Sequence, residues 1–289
     1  MSTTPSPPCD LVIDGDVPIR ARIHPGEGPA LILIHGITSS GEVWAPVLTA
    51  LGASFMPVAI DLRGHGSSGK PGHGYLYDDY IDDLDRVLDA LTLDRPLIVG
   101  HSLGGLIALW WAARHPDRAA ALVIEDSPLR SGEDFRPAFE NWLRLNALPL
   151  DELRAAYATD RPTWKPEAVD ARARQMHATA RPVIEELMAD SMAHHGVDRL
   201  AEIEHIESPV LFIHGDPDAG GMVHPDDIEG FARRLPNATV RRIPAGGHSM
   251  HVETPRAFLD LAVPFLERHA TDASRIAKPG SRQARERQS

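Results

Sequence analysis

Cysteine is almost absent from this chain. Cys9 is the only cysteine among 289 residues, so no disulfide forms within the chain and a reducing compartment is the default expectation. No apolar run approaches the roughly 18 residues that a membrane span needs. The first eight residues contain neither a basic residue nor an apolar segment, so they do not resemble a secretory signal. These absences predict a cytoplasmic protein that does not associate with membranes.

Positive charge is also in short supply. The chain carries 29 Lys and Arg against 41 Asp and Glu, which gives a formal net charge of −12. An acidic surface repels phosphate groups, so neither nucleic acid nor an anionic membrane surface is an expected partner. Hydrophobic residues make up 43% of the chain and charged residues 24%, which is ordinary for a globular protein with a substantial core.

Short apolar runs alternate with helical patterns in the first half of the chain. Such runs have the length of strands that are buried on both faces, and the intervening amphipathic stretches predict covering helices. This alternation predicts an α/β fold with a mostly parallel sheet and helices on both faces. The eight predicted strands lie at about 11–15, 18–23, 30–34, 55–60, 96–99, 121–124, 210–213 and 238–243.

The alternation stops between residues 130 and 206, where the sequence shows only helical stretches, several of them bounded by proline. We therefore predict a core built from residues 10–129 and 207–271, with residues 130–206 as an inserted helical cap. The polar segments 1–9 and 272–289 are predicted to be disordered tails.

The segment Gly100-His101-Ser102-Leu103-Gly104 connects a predicted strand to a predicted helix. In that context G-x-S-x-G indicates a nucleophile elbow, in which the serine sits on a sharp, strained turn. Large neighbours would collide across such a turn, which explains Gly100 and Gly104. The following helix directs its N-terminal N–H groups at developing negative charge. Ser102 is therefore the candidate nucleophile.

A serine hydroxyl needs a general base, and the base usually needs an orienting acid. The chain has 15 histidines, so position decides between them. His248 follows the last predicted strand and precedes the last helix, which places it on the same rim of a parallel sheet as the elbow. The acid stays open at this point: Asp216 and Asp218 follow strand 210–213, and Asp126 follows strand 121–124 on the same rim.

An oxyanion hole requires two preorganised N–H groups. Leu103 supplies one because it follows the nucleophile, and Ile37, after strand 30–34, is the candidate for the other. The glycine-rich segment at 64–69 lacks the Lys-Ser/Thr ending of a phosphate-binding loop. We therefore expect no nucleotide. Acyl transfer by a serine needs neither a metal ion nor an organic cofactor, so neither is expected.

Taken together, four motifs resemble those of the α/β-hydrolase superfamily across about residues 10–269. They are His35-Gly36-Ile37, the segment from Asp61 to Ser67, the elbow around Ser102 and Gly247-His248. The resemblance implies an eight-stranded α/β-hydrolase fold with a helical cap over the active site. It implies that Ser102 is the nucleophile, His248 the base, and Ile37 and Leu103 the oxyanion donors. It also implies that Asp61 and Arg63 stabilise a nearby loop and do not react.

Two details of the resemblance bear on the subclass. Serine at position 102 argues against epoxide hydrolases and haloalkane dehalogenases, which are similar but use aspartate there. Asp218 occupies the usual acid position, but the loop after it is longer than usual, and some relatives place the acid at the position that matches Asp126. On this resemblance we prefer Asp218 as the acid, with Asp126 as the alternative and Asp216 as a third choice.

We predict a carboxylic ester hydrolase that acts on a small, largely apolar ester or lactone. The alternatives are hydrolysis of a carbon–carbon bond in a β-diketone-like compound and non-catalytic binding of a small ligand. The protein is expected to be a monomer or a homodimer. The cap offers apolar side chains for a pocket, and each of them could equally pack the cap on the core: Trp142, Leu143, Leu145, Leu148, Tyr157, Trp164, Met176, Met188 and Met192.

Overall fold

Buried apolar strands form the centre of the protein. A computed structural model describes residues 7–130, 132–197 and 199–276 of the chain. The central strands are buried along their whole length because helices cover both faces of the sheet. The strands are β1 (Cys9–Ile13), β2 (Ile19–Ile23), β3 (Ala30–Ile34), β4 (Met56–Asp61), β5 (Leu97–His101), β6 (Ala121–Glu125), β7 (Val210–His214) and β8 (Ala238–Arg242).

These strands form one sheet in the order β1-β2-β4-β3-β5-β6-β7-β8. The β1–β2 hairpin is antiparallel and joins β4 in antiparallel fashion, whereas all remaining pairs are parallel. The predicted mostly parallel, eight-stranded α/β-hydrolase sheet is thereby confirmed. Because β3 to β8 run in one direction, their carboxyl ends share one edge of the sheet, which we call the functional rim.

Helices pack on the two faces of the sheet and close two apolar layers. One layer contains side chains of α2 (Tyr77–Ala90) and α3 (Leu103–Arg114), and the other contains side chains of α1 (Ala45–Leu51) and α10 (Pro255–Arg268). In α2 the buried apolar residues recur at helical spacing, as the sequence predicts. The helices outside residues 130–206 are α1 (Ala45–Leu51), α2 (Tyr77–Ala90), α3 (Leu103–Arg114), α8 (Pro225–Arg234), α9 (Met250–Glu253) and α10 (Pro255–Arg268).

Among the described residues, four α-helices lie between β6 and β7, in the segment (130–206) that we call the insertion. They have a small apolar core of their own, in which Tyr157 packs with Leu153, Val169 and Met176. Prolines at N1 or N2 begin three of the four helices, where the absent N–H costs nothing. The helices are α4 (Arg136–Asn146), α5 (Leu150–Asp160), α6 (Pro166–His177) and α7 (Arg181–Ala193).

The ordered core extends beyond both predicted boundaries. Cys9, which we expected in a disordered tail, begins β1 and pairs with Ile23. Ser274, also expected in a tail, donates its N–H to the carbonyl of Arg95 at 2.9 Å and accepts the N–H of Ala30 at 3.0 Å. Within the predicted tails, residues 1–6 and 277–289 lie outside the described residues. Among the described helices, none has both the length and the apolar character that crossing a bilayer would require.

Candidate active site

Ser102 lies between β5 and α3 in a strained conformation. Its φ of 52° and ψ of −119° belong to a region that non-glycine residues rarely occupy. The turn is possible because the residues two positions before and after Ser102, Gly100 and Gly104, have no side chains. A Cβ atom at Gly100 would lie 2.4 Å from the carbonyl oxygen of Gly104, and one at Gly104 would lie 2.3 Å from that of Ile34. Ser102 is thus presented at the start of α3, as the elbow motif predicts.

The imidazole of His248 lies on the same rim and is hydrogen-bonded to Asp126. The distance from His248 Nδ1 to Asp126 Oδ2 is 2.7 Å, and the carboxylate is completely buried. The backbone N–H groups of Gly215 and Met222 also donate to this carboxylate, at 3.1 and 2.7 Å. A carboxylate only accepts hydrogen bonds, so Nδ1 carries the proton and Nε2 is left as the basic nitrogen.

The structure does not bring our preferred acid, Asp218, to this histidine. Asp218 is exposed, within the short turn Pro217–Ala219. The loop after β7 wraps around the carboxylate of Asp126 with its backbone N–H groups, and this arrangement leaves Asp218 on the outside. The geometry therefore favours the alternative acid, Asp126.

Asp216, the third choice, has a different set of partners. It forms an ion pair with Arg242 and accepts the N–H of Ala245 at 2.8 Å. The hydrogen bond from Arg242, assisted by the one from Ala245, lowers the pKa of Asp216 to about 2. Asp216 thus ties the end of β8 to the segment that leads to His248.

A second carboxylate–histidine pair lies directly behind the first. Glu125, the neighbour of Asp126, accepts both the Nδ1–H and the backbone N–H of His251, at 2.8 and 2.9 Å, and both side chains are fully buried. Burial alone would raise the pKa of Glu125, but the charge and hydrogen bonds of His251 outweigh it and lower that pKa. Two adjacent acids thus hold two histidines that are three residues apart.

His101 adds a third attachment for the His248 segment. Its Nε2 donates to the backbone carbonyl of His248 at 2.9 Å, and the two rings lie 4.5 Å apart between centroids. Sequence reasoning missed both Glu125 and His101. The only signals for them were the Glu-Asp pair at the end of a predicted strand and the spacing of His248 and His251.

Ile37 and Leu103 flank Ser102 at the bottom of a cavity. The loop after β3 touches the elbow, since a Cβ atom at Gly36 would lie 3.0 Å from the Cβ of Ser102. Within the described part of the chain, the N–H groups of Ile37 and Leu103 donate to no other protein atom. Both groups therefore remain available for an oxyanion.

Buried histidines support the loops around Ser102. His35 donates from Nδ1 to the carbonyl of Gly36 at 2.8 Å and accepts the N–H of Leu62 at 3.0 Å. His65 donates to the carbonyl of Arg63 at 2.9 Å and accepts the N–H of Thr38 at 3.3 Å. Each ring is used once as a donor and once as an acceptor, which requires the neutral form.

Acid is expected to destabilise the protein through these histidines. Burial lowers the pKa of His35, and lowers those of His65 and His101 well below the usual range, with the charge of His248 contributing at His101. In the unfolded chain each protonates near pH 6.5. Below that pH the unfolded state binds protons at these histidines and the folded state does not. Stability is therefore lost as the pH falls, by up to about 1.4 kcal/mol per pH unit for each histidine.

Urea unfolding at pH 7.5, 6.5 and 5.5 measures this loss. His65→Gln keeps one donor and one acceptor but does not titrate, so its free energy of unfolding should fall less steeply with acid than that of the parent. Equal stability of the parent at pH 7.5 and 5.5 would contradict the expectation.

The loop that follows β4 is held by buried charge. Asp61 accepts the backbone N–H groups of Gly41 and Ser67, both at 2.8 Å. Arg63 forms a two-pronged ion pair with the buried carboxylate of Asp83, at 2.6 and 2.7 Å. These contacts agree with a loop-stabilising role for Asp61 and Arg63.

A small cavity of about 70 Å³ opens above Ser102, beneath the insertion. Three polar side chains contribute to its wall, namely Arg130, Asp190 and Ser191, and Arg130 is neutralised by an ion pair with Asp227 at 2.7 Å. The remaining lining is apolar or aromatic apart from Ser102: Ile37, Tyr77, Leu103, Leu106, Pro128, Phe135, Phe139, Trp142, Leu187 and Met222.

Of the nine pocket candidates in the insertion, only Trp142 lines this cavity. Leu145, Tyr157 and Met176 instead form part of the separate core of the insertion. Within the described chain, no three His, Cys, Asp or Glu side chains are arranged to hold a metal ion.

Comparison with known proteins agrees with the fold described above. The sequence profile of the alpha/beta hydrolase fold family matches residues 29–181, more than half of the chain. The chain belongs to the α/β hydrolase family. Its relatives include enzymes named as hydrolases, which supports a hydrolase function for this chain.

Three similar proteins illustrate the range of this α/β hydrolase's relatives. The 2-(acetamidomethylene)succinate hydrolase of Mesorhizobium japonicum is 27% identical over 250 residues, which cover 84% of this chain and 89% of that protein. The N-formylmaleamate deformylase of Pseudomonas putida is 31% identical over 251 residues, 84% of this chain and 90% of that protein. A solved structure of Est816, an N-acyl homoserine lactone degrading enzyme, is 25% identical, with a TM-score of 0.71, over 88% of this chain and 100% of that one.

Proposed function

We propose that this α/β hydrolase cleaves the ester or lactone bond of a small, largely apolar substrate by acyl transfer through Ser102. The observation that carries the proposal is the 2.7 Å hydrogen bond between His248 Nδ1 and the buried carboxylate of Asp126, on the rim that presents Ser102. A buried acid orients the imidazole, fixes its tautomer and stabilises the imidazolium that forms during proton transfer.

The reaction proceeds in two acyl transfers. Ser102 Oγ attacks the carbonyl carbon while His248 Nε2 takes the hydroxyl proton, and the carbonyl oxygen becomes an oxyanion held by the N–H groups of Ile37 and Leu103. His248 then protonates the departing alcohol oxygen, which leaves an acyl-serine. Water attacks the acyl-serine with His248 as base, and the carboxylic acid is released with Ser102 regenerated.

The cavity supports a small and mostly apolar substrate. A cavity of about 70 Å³ with a mostly apolar wall suits a small acyl or alcohol group. The cation of Arg130 is already paired with Asp227 and does not offer an unopposed charge to an anionic substrate. The similarity to an N-acyl homoserine lactone degrading enzyme is consistent with a lactone or simple ester.

Cleavage of an amide C–N bond is the second candidate. Two relatives are named for compounds with an acylated nitrogen, an acetamidomethylene and an N-formyl group. The same residues would act, but His248 would protonate a departing nitrogen, which is a poorer leaving group than an alcohol oxygen. The two candidates therefore differ in the leaving group and share the nucleophile.

Matched substrates distinguish the two candidates. Pairs of p-nitrophenyl esters and p-nitroanilides that share one acyl group, from acetyl to octanoyl, are assayed with the purified chain. We expect kcat/KM to favour the esters and to fall as the acyl chain outgrows the cavity. A fluorophosphonate should add one phosphonyl group to the peptide that contains Ser102, as detected by mass spectrometry.

Two other outcomes would contradict the ester proposal in different ways. Preference for the anilide of each pair would support the amide candidate over the ester. Absence of both turnover and labelling in the folded protein would overturn acyl transfer and leave carbon–carbon hydrolysis or ligand binding.

A further inference from the structure

An arginine of the insertion reaches back to the loop beside Ser102. Arg172, in α6, donates from Nη1 to the backbone carbonyl of Thr38 at 2.6 Å and from Nη2 to its side-chain hydroxyl at 2.7 Å. Thr38 directly follows Ile37, the proposed oxyanion donor. The guanidinium therefore joins the insertion to the residue that adjoins this donor.

Thr38 needs such support because of its own backbone. Its φ is 60°, in the left-handed region that β-branched residues seldom adopt, and its side chain is buried. The core holds it from one side, where its N–H donates to His65 Nε2 at 3.3 Å. Arg172 holds it from the other side, so the conformation next to Ile37 depends on both the core and the insertion.

The surroundings of Arg172 distinguish it from an ordinary surface arginine. Its guanidinium lies 5.1 Å from the ring centroid of Tyr157, a buried residue of α5, and burial lowers the pKa of Arg172. Among the described residues it forms no ion pair with a carboxylate. Arg174, two residues along the same helix, is by contrast exposed and paired with Asp170.

We infer that Arg172 is a positioning residue, which couples the seating of the insertion to the orientation of the Ile37 N–H group. This inference rests on the proposed acyl-transfer function. An oxyanion exists in the transition state and not in the bound substrate, so misplacing its donor lowers kcat and leaves KM nearly unchanged. Arg172 does not line the cavity, which argues against direct substrate binding.

The test compares three single variants on one ester substrate. Arg172→Met keeps an unbranched apolar stem but removes the charge and the donors. Arg172→Lys restores a charge and a donor that can reach one of the two acceptors, and Arg174→Met is the matched control on the same helix. We expect Arg172→Met to lower kcat by about 10- to 100-fold with KM within about twofold, less than the loss of an oxyanion donor itself. The kcat of Arg172→Lys should lie between those of Arg172→Met and the parent, and the kcat of Arg174→Met should equal that of the parent.

A double-mutant cycle connects the effect to Thr38. Thr38→Val removes the hydroxyl that accepts from Nη2 but keeps the branched shape, so its effect on kcat should be less than additive with that of Arg172→Met. Additive effects, an unchanged kcat in Arg172→Met, or a rise in KM alone would overturn the inference. A loss of kcat that Arg174→Met shares would do the same.

The activity and labelling of the parent protein show whether a negative result refutes the role of Arg172 or the proposed function on which it rests. If the parent neither hydrolyses the ester nor accepts the phosphonate at Ser102, the proposed function fails and the role of Arg172 fails with it. If the parent is active through Ser102 and Arg172→Met matches it, only the role of Arg172 is refuted. Thermal unfolding of each variant shows that the folded protein is being compared, and Arg172→Lys carries the test if Arg172→Met does not fold.

Discussion

Replacing Ser102 by alanine is expected to lower kcat for the best ester by about five to six orders of magnitude. Losses of that size follow when a serine hydrolase is deprived of its nucleophile, because the base and the acid then have no hydroxyl to activate. The oxyanion donors and the cavity remain, so about 10³-fold acceleration over the uncatalysed reaction should persist. Steady-state turnover, with the parent enzyme quantified by active-site titration to exclude carry-over, measures the loss.

A buried serine elsewhere in the fold provides the control. Ser208 donates its hydroxyl to the carbonyl of Pro116 at 3.2 Å, away from the functional rim, and Ser208→Ala should keep the activity of the parent. Ser102→Ala should unfold at the same temperature as the parent, since it removes one oxygen and no packing atom. Residual turnover in Ser102→Ala above about 1% of the parent value would mean that another group attacks the carbonyl.

The sheet could be predicted from the sequence because its central strands are apolar apart from single polar residues at the carboxyl ends of some of them. Strands such as β3 and β6 are buried on both faces, and such a run of about five residues differs sharply from the amphipathic helices beside it. The ends of the core were harder to predict. Cys9 belongs to the sheet through its pairing with Ile23, and Ser274 through hydrogen bonds to Arg95 and Ala30. Composition does not reveal such long-range partners.

The elbow was predictable for a similar local reason. Three positions around Ser102 have no room for a side chain, so the tight turn requires glycine there and the sequence pattern reveals it. The lining of the cavity was not predictable in this way. Apolar residues of the insertion satisfy the same pattern whether they face Ser102, as Trp142 does, or pack with one another, as Tyr157 and Met176 do.

The acid that orients His248 shows most clearly what could not be predicted from the sequence. β6 and β7 are neighbours in the sheet, so Asp126 and Asp218 both follow strands that end at the functional rim. Order along the chain does not separate them. The difference lies in the backbone: Asp126 has a φ of 41°, and its carboxylate accepts N–H groups from the loop after β7. That loop must be folded before its inner and outer carboxylates can be told apart.

Asp126→Asn is accordingly expected to lower kcat by about 10⁴-fold, whereas Asp218→Asn should leave kcat within about twofold of the parent. An asparagine at 126 keeps the size of the side chain but presents an amide that favours the wrong tautomer of His248 and no longer stabilises the imidazolium. An exposed side chain at 218 has no such partner. Turnover of one ester by the two variants, measured side by side across pH, gives the comparison.

Asp126 also accepts two backbone N–H groups, so its loss could act through the fold instead of through His248. Asp216→Asn is the control for this possibility, because it also removes a carboxylate that holds the same loop, through Ala245 and Arg242. If loop order alone mattered, the variants at 126 and 216 would lose similar activity. A loss confined to Asp126→Asn assigns the effect to the acid that contacts His248, and a loss confined to Asp218→Asn would require the loop after β7 to rearrange around the bound substrate.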